Sequence, residues 1–134
     1  MSFYCSSLTE YKRLPTREVK IGNLLLGAHH PVRIQTMTTT DTMDTDATVA
    51  QCIRCIEAGA ELVRITAPSK KEAENLQAIR DALRRQGYHT PLVADIHFDH
   101  RLALAAIKSG VDKLRINPGN IGSEEKIKEV VLYF

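Results

Sequence analysis

Two arginines, Arg64 and Arg115, occupy matching places in a repeated stretch. Gly59-Ala60-Glu61-Leu62-Val63-Arg64-Ile65-Thr66 aligns with Gly110-Val111-Asp112-Lys113-Leu114-Arg115-Ile116-Asn117 at an offset of 51 residues. Side chains alternate along a strand, so if Val63, Ile65, Leu114 and Ile116 meet covering helices, then Arg64, Thr66, Arg115 and Asn117 share the opposite face. The same alternation sends Leu92, Ala94 and Ile96 outward and Asp95 and His97 inward, and it turns Gln35 and Met37 inward on an earlier strand. Two guanidiniums in one place are costly to desolvate unless they meet anions, and their planar forks suit phosphate or diphosphate. The plainer alternative is a structural ion pair in which Asp95 neutralises one arginine. The six inward polar side chains Gln35, Arg64, Asp95, His97, Arg115 and Asn117 favour the anion site over it. His97 admits two roles, a hydrogen-bonded structural residue or a group that holds a proton or orients a substrate hydroxyl.

The elements that must position these residues follow from periodicity. Short strand-like runs alternate with longer helical ones, the pattern of βα units on a parallel sheet. Four units are expected: a strand over 32–36 with a helix over 46–58, a strand over 62–66 with a helix over 70–86, a strand over 92–97 with a helix ending at Ser109, and a strand over 113–117 before a final helix. Gly59 and Gly87 are placed to stop the first two helices. Ser69 and Glu72 form a capping box, and Asp99 and Ser123 are N-caps of the later two. A small hairpin, 19–21 and 24–26 around Gly22-Asn23, is expected outside the main sheet. The fold class is α/β of the (β/α)₈ TIM-barrel type, with the first four βα units present. In such barrels alternate strands supply one interior layer, which sets Arg64 and Arg115 at one height near the C-terminal strand ends where active sites lie.

With 134 residues, 43% of them hydrophobic and 25% charged, the chain suits one compact domain, residues 15–134, after a flexible tail over 1–14. A net charge of +2 is too small to advertise a nucleic-acid or membrane-surface binder, so an anion site must be local. No apolar run approaches the ~18 residues of a membrane span, and 1–14 contains no signal-peptide core. The cytoplasm is the expected location.

Three further features invite chemistry. Pro118-Gly119-Asn120-Ile121-Gly122-Ser123 follows the fourth strand, and its amides could approach phosphate oxygens, although glycine-rich turns are common for steric reasons alone. Thr38-Thr39-Thr40-Asp41-Thr42 after the first strand reads as a lid or a hydroxyl-bearing wall. Cys52 and Cys55 have the spacing of a metal half-site but fall on the apolar helix face, and Cys5 lies in the tail, so buried inert thiols are favoured.

Ile34-Gln35-Thr36-Met37-Thr38, Val63-Arg64-Ile65-Thr66-Ala67-Pro68, Pro91-Leu92-Val93-Ala94-Asp95-Ile96-His97-Phe98 and Leu114-Arg115-Ile116-Asn117-Pro118-Gly119-Asn120-Ile121-Gly122 together resemble the N-terminal barrel of the 4-hydroxy-3-methylbut-2-enyl diphosphate synthase family. The resemblance runs from Thr16 to the end of the chain. It implies reductive conversion of 2-C-methyl-D-erythritol 2,4-cyclodiphosphate to 4-hydroxy-3-methylbut-2-enyl diphosphate in isoprenoid biosynthesis, with reduced ferredoxin or flavodoxin as electron donor. It also implies a homodimer and a [4Fe–4S] cluster whose ligands lie in a C-terminal domain absent from this sequence. Carried over position by position, Arg64, Arg115 and Asn117 bind substrate phosphate, Gln35 joins the substrate-binding set, and Asp95 and His97 shape the pocket floor and are the candidates for catalysis. No metal ligand is expected within these residues. A full barrel needs ~250 residues, so the sequence reads as the N-terminal half of one, inactive by itself. Two competing expectations are a non-catalytic half-barrel that only associates, and another phosphate-binding barrel of pterin or aldol type.

Overall fold

Residues 7, 9, 10 and 14–134 are described by the structure, a computed structural model; the tail expected over 1–14 falls largely outside them. The hairpin forms where Gly22 can adopt its φ of 58°. β1 (Val19–Ile21) and β2 (Leu24–Leu26) pair antiparallel as a separate two-stranded sheet. A Cβ at Gly22 would come within 2.9 Å of Asp112 Oδ1, so the turn has no room for a larger residue. Ile21 is buried against Leu62 and Val93, which seats the hairpin against the N-terminal end of the main sheet.

That sheet holds β3 (Gln35–Met37), β4 (Leu62–Ala67), β5 (Leu92–Ile96) and β6 (Lys113–Arg115), all parallel and in sequence order. α1 (Thr45–Glu57), α2 (Lys70–Arg85), α3 (His100–Lys108) and α5 (Glu124–Tyr133) connect or follow the strands, with the short α4 (Pro118–Ile121) between β6 and α5. The core lies between sheet and helices. Val63, Ile65, Leu92, Ala94 and Ile96 meet Cys52, Leu76, Ile79, Leu83, Ala103 and Ala106. Each fully buried aliphatic side chain contributes about 1.5–3 kcal/mol. The expected outward and inward alternation is therefore the observed one, and four βα units of a TIM-type sheet are present.

Several boundaries differ from expectation. The first strand pairs only over Gln35–Met37, although the Ile34 carbonyl just before it accepts from the Glu61 and Leu62 amides. Glu61 accepts from the Ile34 amide and from Arg33, whose Nε also donates to the Leu25 carbonyl. The Ile34 N–H, with Arg33 adding to it, holds the Glu61 carboxyl below its usual range. Ser69 is the N-cap of α2, yet its hydroxyl bonds the Glu72 carboxylate and not a helix amide. Asp99 caps α3 as expected, accepting from the Arg101 amide. Its carboxyl is lowered to about 2, chiefly by the Arg101 side chain.

The threonine stretch is no lid. Thr38 and Thr42 are buried, the Thr38 amide bonds the Arg64 carbonyl, and the Thr42 hydroxyl donates to the Thr66 carbonyl at 2.7 Å. Gln51 accepts from the Thr39 and Thr40 amides, and the Thr40 and Thr48 hydroxyls meet at 2.8 Å. Hydroxyls that satisfy buried backbone oxygens are committed to structure, so this loop braces the C-terminal end of β4.

Candidate anion site at the strand ends

Asp95 is the hub. Its side chain is 1% exposed on the inward side of β5, and a carboxylate so placed needs partners of opposite charge. Arg64 Nη2 donates to Oδ2 at 2.5 Å and Arg115 Nη1 donates to Oδ1 at 3.3 Å, so one carboxylate is shared by the strands on both sides. His97 Nε2 lies 3.3 Å from Oδ2. The arginine and histidine side chains keep 25%, 41% and 38% of their exposure, which leaves their outer surfaces open to a ligand.

The register explains why two residues from alternate strands meet. Arg64 pairs with Val93, whereas Arg115 pairs with Asp95, so Arg115 lies two residues further along the ladder. In a sheet whose shear matches its strand count, each strand shifts by about one residue, and a two-residue offset over two strands keeps both arginines at one height. The sequence repeat and the ladder agree.

The structural ion pair of the plainer alternative is thus present, and it takes in both arginines. Two guanidiniums against one carboxylate leave one surplus positive charge, and the five donors of each guanidinium exceed what Asp95 can accept. Arg64 Nε is buried and has no hydrogen-bond partner among the described residues. A dianion placed against the free edges would find donors already oriented, so less ordering entropy opposes binding.

The other two expected members sit differently. Gln35 is the first residue of β3, paired with Leu62, and Met37 is the residue paired with Arg64. With a shift of about one residue per strand, Gln35 lies about one residue below the arginine level, at the start of the β3 ladder. Asn117 lies beyond β6 as the N-cap of α4, its Oδ1 accepting from the Gly119 amide at 3.0 Å. Its amide oxygen is thus engaged in capping. The glycine-rich turn that follows is the helix α4, which the sequence did not announce because a single turn carries no periodicity.

Cys5 lies outside the described residues, and the two described thiols, Cys52 and Cys55, do not by themselves fit a metal cluster. Cys52 is fully buried on α1 and its thiol is pushed up to about 12, first by burial and then by the neighbouring Cys55. A thiol held protonated is a poor ligand. No group of three His, Cys, Asp or Glu side chains gathers as a metal site among the described residues. Labelling of the native protein with a maleimide at pH 8, read by peptide mass spectrometry, should leave Cys52 unmodified until denaturant is added; modification of Cys52 at the rate of a free thiol would contradict its burial.

No helix of the described residues is long and apolar enough to cross a membrane. A family model for the GcpE TIM-barrel domain matches residues 16–133. The 4-hydroxy-3-methylbut-2-en-1-yl diphosphate synthase (flavodoxin) of Acinetobacter baumannii is 52% identical over 120 residues, covering 90% of this chain and 31% of that protein. The Acinetobacter baylyi protein of the same name gives the same identity and coverage. That of Chlorobaculum tepidum is 49% identical over 123 residues, covering 92% of this chain and 16% of the relative. The chain therefore spans a third or less of the length of these relatives. Among solved structures, Burkholderia cenocepacia dihydropteroate synthase superposes with a TM-score of 0.55 at 21% identity, covering 72% of this chain and 36% of that one, a likeness of fold. With the family model covering nearly the whole chain, and the parallel sheet and inward strand-end cluster in place, this chain belongs to the GcpE TIM-barrel family.

Proposed function

We propose that this chain is the substrate-binding part of a 4-hydroxy-3-methylbut-2-enyl diphosphate synthase and that Arg64 and Arg115 hold the diphosphate of 2-C-methyl-D-erythritol 2,4-cyclodiphosphate. The observation that carries the proposal is the pair of guanidiniums docked on one buried carboxylate, with their outer edges open at the C-terminal strand ends. The identity to synthases of that name supports it. In the reaction the ring opens at carbon, two electrons and two protons are taken up, and one water leaves.

Within this scheme Asp95 is a positioning residue that fixes both guanidiniums. His97, half exposed beside it, is placed to meet a substrate hydroxyl. Asn117 offers its amide nitrogen, since its oxygen caps α4, and Gln35 lies about one residue below the arginines on the neighbouring strand. The [4Fe–4S] cluster that the resemblance implies would supply the electrons. No group of three His, Cys, Asp or Glu among the described residues could hold it, and by the resemblance its ligands lie in the part of the longer relatives that this chain does not cover. The same reading carries ferredoxin or flavodoxin as donor, a homodimer, and a cytoplasmic location.

Calorimetric titration of the purified chain at low salt tests the proposal. The cyclodiphosphate should bind saturably at one site, and uncharged methylerythritol should not bind. With a chemical reductant present no product should form, because the resemblance places the cluster's ligands outside these residues. Absence of binding at millimolar cyclodiphosphate, or equal binding of the uncharged polyol, would overturn the assignment.

A further inference from the structure

Phe98 is placed at a backbone cost that the packing of its own side chain among the described residues does little to offset. Its φ is 62°, a left-handed conformation that is a genuine outlier for a bulky residue. The Asp99 amide donates to the His97 carbonyl at 2.7 Å, so Phe98 is the central residue of a three-residue turn of the rare, strained γ type. The ring it carries is 72% exposed, so little core packing rewards the strain. What the turn achieves is placement: without it the chain would continue the alternation of β5 and carry residue 98 to the helix side with Ile96. Instead the Phe98 ring sits with its centroid 6.1 Å from that of His97, tilted by 41°. His97 in turn touches the Asp95 hub, which sets the aromatic ring on the rim of the arginine pocket.

Strain at a non-glycine residue persists where the surroundings fix it, and it gathers at ligand clamps. The geometry points to Phe98 as an apolar wall that contacts the carbon skeleton of the ligand whose diphosphate the arginines hold. This inference rests on the proposed function above and adds a specificity-determining residue to it. The chemistry is complementary. A branched five-carbon polyol diphosphate has one anionic end for Arg64 and Arg115 and one C–H-rich side that an aromatic face can cover. Inorganic diphosphate has only the first.

That difference supplies the test. Affinities of the whole chain for the cyclodiphosphate and for inorganic diphosphate are measured by calorimetry in wild type, Phe98→Ala, Phe98→Tyr and Phe98→Gly. Expected is a fivefold to twentyfold loss of cyclodiphosphate affinity in Phe98→Ala, on the order of one buried aromatic contact, with inorganic diphosphate unchanged within about twofold. Phe98→Tyr keeps the ring and should restore cyclodiphosphate affinity. Phe98→Gly should lose that affinity like alanine while raising Tm by a few degrees, since glycine adopts this φ freely. Equal loss for both ligands in Phe98→Ala, or no loss for either, would overturn the wall while leaving the arginine site standing. Failure of wild type to bind either anion would overturn the arginine site and the wall with it.

Discussion

Replacing Asp95 by alanine will destabilise the chain by about 3 kcal/mol, the lower end of the ~3–5 kcal/mol that follows when one partner of a buried ion pair is removed. The carboxylate is 1% exposed and meets Arg64, Arg115 and His97. Without it two like charges face each other with no anion between them. The lower end applies because the arginine side chains keep 25% and 41% of their exposure, so water takes over part of the solvation. Asp95→Asn keeps shape and some hydrogen bonding and should cost less. Urea unfolding at pH 7 with an unchanged m value is the measurement. A loss under about 0.5 kcal/mol, the range of an ordinary surface change, would mean that the hub does not hold the strands' inner face together.

Arg115→Met will separate binding from stability. Arg115 reaches Asp95 at 3.3 Å and is 41% exposed, so its contribution to folding is that of a partly solvated pair, up to about 1 kcal/mol. Methionine retains most of the aliphatic stem. A charge-assisted contact to phosphate is worth roughly 1.5–3 kcal/mol, so affinity for the cyclodiphosphate should fall about tenfold to a hundredfold. Arg64→Met differs, because Arg64 bonds Asp95 at 2.5 Å and is more deeply set, so stability and affinity should fall together. Unchanged affinity in Arg115→Met would remove this residue from the site.

The inward cluster was legible because two strong regularities carry it. Period-two alternation set Arg64, Asp95, His97 and Arg115 on one face, and the repeat around the two arginines set their heights, which the ladder reproduces. Both are properties of regular strands. What stayed hidden lies where regularity stops. Asn117 lies past the last rung of β6 with its side-chain oxygen capping α4, and local side-chain to backbone bonding of that kind has no periodic signal. The first ladder starts at Gln35, later than the expected strand over 32–36, and the side-chain ties of Arg33 and Glu61 that precede it carry no periodic signal. Thr38 to Thr42 look like a polar loop in sequence, yet their hydroxyls and amides meet Gln51, Thr48 and the β4 carbonyls, contacts made across the fold. Phe98 is the clearest case: a phenylalanine gives no sequence hint that its backbone turns left-handed.

Phosphorus NMR of the cyclodiphosphate, titrated with wild-type chain and with an Arg64→Met, Arg115→Met double variant, tests the central claim most directly. The two inward guanidiniums should shift or broaden both phosphorus resonances in a saturable way with wild type, and the effect should vanish at the same concentrations of a folded double variant. A double variant that remains folded and perturbs the resonances as strongly as wild type would contradict the assignment of the diphosphate to Arg64 and Arg115.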